Sequence, residues 1–440
     1  MAKISITSLG CPRNLVDSEV MTGFLKKSGH SITESAEDSD IAIINTCAFV
    51  KDAADESIDT IVCLADLKRK GRIKSVIVAG CLVQRYKKDL KKELGNVDAF
   101  VGTGDIEKIT SAINSVTDKK GSFFVSDEPK YIYNDRSPRG LITPPHYAYI
   151  KIQEGCSNKC SYCIIPKLRG ALRSRPIESI LDEVSAFLAS GVSELNIIGQ
   201  DTTNYGSDIY KKPRIADLLY RISRLVKDRA WLRLLYTHPA HYTEDLIRVI
   251  KENSNICKYL DLPIQHISDR VLKRMKRGTT SSSIRALIER LRKCIPGLAI
   301  RTTLIVGFPG EEDADFEKLY NFVKETKFER LGVFAYSNEE GTPSYNYKNQ
   351  VPEKIRRERL DRIMKLQQKI SEEYNRSFLG RTIEVLIDEK DKDIYLGRTE
   401  YDAPSVDGQV YVRGRDLKIG SFVRVKITDT LEYDLAGVAV

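Results

Sequence analysis

Nowhere in the 440 residues is there a run approaching the ~18 apolar residues that a spanning helix needs, so no membrane partner is expected. There is no low-complexity tract and no fixed-period repeat beyond an alternation of strand and helix patterns. The start, MAKISITSLGCPRN, lacks a basic segment followed by an apolar one, which predicts a soluble cytoplasmic protein. The nine cysteines are too sparse, and odd in number, for a disulfide scaffold. In a reducing compartment clustered thiols more often bind metals or do chemistry.

What is present is ample. With 41% hydrophobic residues the chain can build real cores, and its length implies roughly two to four domains. A net charge of +9 suits an anionic partner such as RNA or an RNA-rich particle.

Apolar runs ISITSLG, IAIINT and SVIVAG alternate with helical patterns such as DAADESIDTIVCLADLKRK. They predict an N-terminal doubly wound parallel-sheet domain over 1–118, followed by a polar linker over 119–141. Six further strand candidates follow: YAYIKIQ, ELNIIGQ, WLRLLY, KYLDLPIQ, AIRTTLIVG and RLGVFAYS. Separated by amphipathic helices, they predict an incomplete (β/α)6 barrel over 142–372, including one long charged helix at 353–376. From residue 377 to 440 short strands broken by DG and IG turns predict a small all-β barrel.

Two sets of cysteines carry the chemistry. In EGCSNKCSYCIIPKLRG, Cys156, Cys160 and Cys163 are spaced C-x3-C-x2-C in the loop after YAYIKIQ, and the next cysteine is Cys257. Zinc in a structural site takes four protein ligands, and iron–sulfur cubanes are normally held by four thiolates. Three local ligands leave either a zinc completed by a distant residue or a cubane with one open iron. The second set is Cys11, Cys47 and Cys81, each ending an apolar run although 35 and 33 residues separate them. In a parallel sheet those strand ends share one edge, the edge where doubly wound folds bind ligands. Cys63, Cys257 and Cys294 have no such partners and read as core residues.

The motif C-x3-C-x-aromatic-C, with Tyr162 as the aromatic, resembles that of the radical S-adenosylmethionine superfamily over residues 147–337. The resemblance implies that Cys156, Cys160 and Cys163 hold a four-iron four-sulfur cluster. Its open iron would chelate S-adenosylmethionine, whose reductive cleavage gives a 5′-deoxyadenosyl radical. Tyr162, Gln200 and Gly307 are then expected near S-adenosylmethionine, in loops IIGQDTTNYG and LIVGFPGE that also hold Asp201 and Glu311. Two incomplete cysteine sets together with an all-β, TRAM-like tail resemble the methylthiotransferase family. This implies a second four-iron four-sulfur cluster on Cys11, Cys47 and Cys81 that carries the sulfur to be inserted.

Within that family SLGCPRNLVDSE, QDTTNYG, PIQHIS and YSNEEGT resemble the branch acting on small-subunit ribosomal protein S-twelve. The implied reaction places a methylthio group on an aspartate β-carbon, free or in the small ribosomal subunit. S-adenosylmethionine would serve as methyl donor and radical source, with a reductase or flavodoxin-type electron donor and a sulfur donor as partners. The alternatives are a tRNA adenosine methylthiotransferase and an electron-transfer iron–sulfur protein. From Arg381 onward nine basic and twelve acidic residues give −3, which predicts an acidic face suited to a basic protein. Ala48 stands where glycine is expected after Cys47.

Overall fold

The structure, a computed structural model, describes residues 1–440. Its first sheet is wholly parallel: β1 (Lys3–Ser8), β2 (Ser31–Thr33), β3 (Ile41–Thr46), β4 (Ser75–Gly80), β5 (Ala99–Val101) and β6 (Ser122–Phe124). The spatial order β2-β1-β3-β4-β5-β6 is that of a doubly wound sheet, with the order reversing between β1 and β3. Every residue of β3 and β4 is buried, as expected for central strands covered on both faces. The covering helices are α1 (Pro12–Lys27), α2 (Lys51–Arg69), α3 (Cys81–Glu93) and α4 (Ile109–Thr117).

The stretch expected as linker begins inside this sheet, because β6 pairs with β5 through Ala99–Ser122, Phe100–Phe123 and Val101–Phe124. Three residues are too few for a period-2 pattern to register. The rest of the connector is clamped. Tyr133 is buried and donates to Glu183, while the Arg139 guanidinium bonds Glu19 of α1 and reaches Glu183 at 2.6 Å.

The second sheet follows chain order: β7 (Tyr147–Lys151), β10 (Glu194–Ile198), β11 (Trp231–Leu234), β12 (Ile256–Asp261), β13 (Ala299–Val306) and β14 (Arg330–Ala335). All neighbours are parallel and the ends do not join, which is the expected part-barrel. Between β7 and β10 lie a two-residue pair, β8 (Gln153–Glu154) with β9 (Arg173–Ser174), and the one-turn helix α5 (Ile165–Arg169). Amphipathic helices such as Ile215–Val226 and Ser281–Cys294 bury their leucines and isoleucines against the outside of the sheet. The charged helix Glu353–Arg376 spans the expected residues.

The last module is a closed five-stranded barrel: β15 (Thr382–Asp391), β16 (Ile394–Arg398), β17 (Val410–Arg413), β18 (Phe422–Thr430) and β19 (Leu435–Ala439). Four strands were legible, but the closing strand LAGVA was not, since it is short and interrupted by glycine. The module docks on the amino ends of the part-barrel strands. Arg398 bonds Glu194 at 2.7 Å, Arg330 bonds Asp402 at 2.6 Å, and Phe422 packs on Trp231.

That docking overturns the expected acidic face. Asp388, Asp402 and Asp407 are turned inward onto His146, Arg330 and Arg301, and Glu400 accepts the Lys258 amide. What the tail exposes is seven acidic and eight basic residues, a balanced surface. The linear count missed this because the carboxylates are the groups consumed by the interface.

Candidate active site

The local sequence explains how each thiol is presented. β1, β3 and β4 are adjacent, so Cys11, Cys47 and Cys81 sit at the carboxyl ends of three neighbouring strands. Cys11 precedes Pro12, which opens α1 without needing a backbone donor, and Cys81 is the first residue of α3. Helix amino ends favour thiolates. Gly10, with φ of 85°, is required twice over: a Cβ there would lie 2.8 Å from the Cys47 sulfur. Ala48, by contrast, is accommodated, its methyl wholly buried beside Ile44 and Ala54.

Cationic groups lie against the sulfurs. The Arg13 Nε donates to Cys11 Sγ at 3.4 Å, an Arg169 amino group approaches Cys81 Sγ at 3.6 Å, and Arg277 approaches Cys160 Sγ at 3.6 Å. Burial, with smaller help from neighbouring thiolates and Asp201, raises the thiols, to about 12 for Cys81 and Cys163 and about 11 for Cys156. At Cys11 burial acts the same way, but Arg13 and Arg169 outweigh it and bring the thiol down to about 7.

Cys156, Cys160 and Cys163 line a cavity of about 180 Å³ at the carboxyl mouth of the part-barrel. Cys11, Cys47 and Cys81 are not on its wall, but Arg13, whose Nε is on Cys11, lines the same cavity and links the first cysteine set's module to it. Tyr162 and Gln200 are on its wall. Gly307 is not: with φ of 73° it packs under Arg356, and its amide donates to the buried Glu311 carboxylate at 2.7 Å. Burial pushes Glu311 up to about 7 despite the Arg359 guanidinium beside it. His266 is packed against Glu311 and lies off the cavity wall.

The modules are welded beside the thiols by buried charge. Lys151 bonds Asp17 of α1 and Glu154 (2.6 Å), and Arg169 reaches the same two carboxylates at 2.8 and 3.0 Å. Gln200 donates to the other Glu154 oxygen at 2.6 Å. Burial pushes Glu154 up, but Arg169 and Lys151 outweigh it and hold the carboxyl well below its usual range.

Sequence reading did not single out Arg13, Tyr236, Arg277 or Gln265, all on the cavity wall. Tyr236 (φ 58°) and Gln265 (φ 70°) hold left-handed backbone conformations. For such residues this costs on the order of 1–3 kcal/mol and clusters at functional sites. Only the positions of these residues just beyond β11 and β12 gave a hint, since strand carboxyl ends carry the chemistry of such barrels. Among the other cysteines, Cys257 is buried and Cys294 partly so, but Cys63 is exposed on α2 and is not a core residue.

The donor set can be tested against metals. A single tetrahedral zinc with ~2.3 Å bonds would hold its sulfurs about 3.8 Å apart. Neither cysteine set brings its three sulfurs within 4.8 Å of one another; the one metal-capable trio that close is Asp201, His238 and His241. Wider spacing without a fourth cysteine fits a multi-iron cluster, whose thiolates bind different irons, with one iron left open.

Residues 3–102 match the family described as uncharacterized protein family UPF0004, 150–323 the radical SAM superfamily and 379–440 the TRAM domain. The chain is 47% identical over 438 residues to the ribosomal protein uS12 methylthiotransferase RimO of Geobacter sulfurreducens, covering 99% of this chain and 98% of that one. It is 49% identical to the RimO of Caldanaerobacter subterraneus, covering 99% of this chain and all of that one. The fold is also similar to that of the radical S-adenosylmethionine methyltransferase TsrM of Kitasatospora setae. There the TM-score is 0.58 at 14% identity, over 78% of this chain and 76% of that one. With near-full-length identity of this order and all three modules matched, the chain belongs to the RimO family of radical S-adenosylmethionine methylthiotransferases.

Proposed function

We propose that the chain is a cytoplasmic enzyme that adds a methylthio group to the β-carbon of an aspartate in ribosomal protein uS12. Cys156, Cys160 and Cys163 hold one four-iron four-sulfur cluster, and Cys11, Cys47 and Cys81 hold the other. Tyr162 and Gln200 border the S-adenosylmethionine site, while Gly307 shapes a neighbouring loop. When bound, these groups supply reductive sulfonium cleavage, a methyl group and the sulfur to be inserted, which side-chain acid–base chemistry cannot deliver at an unactivated C–H bond. Electrons and sulfur come from separate donors, a reductase or flavodoxin-type protein and a sulfur carrier. The first module runs through β6 to about residue 124, a clamped connector follows, and the part-barrel with its trailing helix to Arg376 precedes the tail barrel.

The observation that carries the reading is that Arg13, bonded to Cys11, lines the cavity of Cys156, Cys160 and Cys163, since group transfer needs the two centres near one substrate. The chain's own contribution is placement. The buried Asp17–Lys151–Glu154–Arg169 cluster fixes the modules, and the cavity wall of Tyr162, Ile165, Tyr236 and Pro263 limits water.

Two variants test the division of labour. Cys160→Ala is expected to abolish S-adenosylmethionine cleavage, whereas Cys47→Ala keeps cleavage and loses product. Equal loss of cleavage in both folded variants contradicts it. Mass spectrometry of uS12 and tRNA from cells lacking the gene tests the substrate; a methylthio mark missing from tRNA alone overturns uS12.

A further inference from the structure

The buried arginines that join the modules each hold a carboxylate: Arg139 with Glu19, Arg169 with Asp17, Arg233 with Glu194, Arg330 with Asp402 and Arg398 with Asp388. Arg13 does not. Its Nε is on Cys11, one amino group donates to the Gly199 carbonyl at 3.0 Å, and its guanidinium lies 4.3 Å over the Tyr236 ring. The second amino group has no partner in the protein, and the cavity it lines contains no Asp or Glu.

Two residues beyond Tyr236, His238 is 4% exposed and lines the same cavity. Its Nδ1 accepts the Ala240 amide at 3.2 Å, which leaves the proton on Nε2. Burial, and then the Arg277 charge, keep the ring neutral by lowering its pKa to about 3. No hydrogen bond is made to Nε2: the Asp201 carboxylate, within 4.8 Å of a ring nitrogen, is taken by Asn158, Thr203 and His241. A neutral N–H donor and a cationic one thus each lack a bonded acceptor beside one cavity. A carboxylate is the ligand chemistry that satisfies this pair, because charge-assisted donors are strongest to an ionised acceptor.

We propose that Arg13 and His238 form a carboxylate subsite that seats the side chain of the target aspartate. The inference rests on the proposed function. The β-carbon of an aspartate is one bond from its carboxylate, so clamping that group fixes the reacting carbon in the cavity of Cys156, Cys160 and Cys163, next to the side chain that holds Cys11. An adenine offers no such anion, so the subsite selects protein over tRNA.

S-adenosylmethionine also bears a carboxylate, and the test separates the two sources. The affinity of the anaerobic, cluster-loaded enzyme is measured for purified uS12, for uS12 with the target Asp→Asn, and for S-adenosylmethionine. Wild type is expected to prefer the aspartate form by about 10- to 100-fold, the range of a hydrogen-bonded charge. Arg13→Gln and His238→Phe are expected to reduce that preference to less than about threefold, while Arg13→Lys and His238→Gln retain part of it. Iron content and electron paramagnetic resonance of the variants verify that both clusters are loaded.

An undiminished preference in Arg13→Gln overturns the subsite. So does weakened S-adenosylmethionine binding with the aspartate preference intact, which assigns the donors to the wrong carboxylate. Wild type that binds neither form of uS12 and modifies tRNA sinks the proposed function, and the subsite with it. Wild type that modifies uS12 without preferring aspartate sinks the subsite alone.

Discussion

At the scale of single residues, the site depends on a glycine as much as on cysteines. Gly10 leaves room for the Cys47 sulfur and carries a positive φ that an L side chain resists. Gly10→Ala is therefore expected to displace Cys47 and cut iron bound by the first module to less than half. Iron and acid-labile sulfide analysis checks this, with the barrel cluster's signal as internal control. The six cysteines were legible because spacing and strand ends are one-dimensional facts. Arg13 was not, because its partners Gly199 and Tyr236 lie some 190 and 220 residues away along the chain. No local pattern marks a side chain that crosses between modules.

At the scale of elements, strands and helices with clear periodicity were readable, down to the bounds of Glu353–Arg376. The failures were short or polar. β6 and β19 carry too few residues to show alternation, and the connector looked free because tertiary ion pairs leave no periodic trace. Glu183 shows what those pairs do. It bonds Arg139 of the connector and Arg175, and although burial raises its carboxyl, those two guanidiniums outweigh burial and hold it below the ordinary glutamate value.

A carboxyl depressed by folding contributes stability above its unfolded value that is lost as pH falls through the folded one. Glu183→Gln is expected to cost about 3–5 kcal/mol near neutral pH, because buried Arg175 loses its only counter-charge and Arg139 keeps Glu19 alone. The gap from wild type should narrow as pH drops below 4.5, where the unfolded glutamate takes up its proton. Denaturant melts across that range read both effects; a gap that stays constant contradicts the pairing.

At the scale of the whole molecule, the part-barrel is closed off by different neighbours at its two ends. The first module meets the carboxyl mouth, where the cysteines are, and the tail barrel meets the amino end through Arg398, Glu194, Arg233 and Trp231. The tail is thus held far from the thiols by buried charge. Arg398→Met is expected to destabilise the protein by about 3–5 kcal/mol, leaving Glu194 and Asp388 without this guanidinium. Protease digestion should then release the tail sooner, while an unchanged cleavage pattern contradicts a charge-fixed interface.

The central claim is that two incomplete cysteine sets each hold a cluster and are linked through Arg13 at one cavity. Iron counting after anaerobic reconstitution tests it most directly. The expected value is about eight irons per chain, falling to about four when Cys11, Cys47 and Cys81 are all alanine. About four irons in the wild type, unchanged in that triple variant, would contradict it.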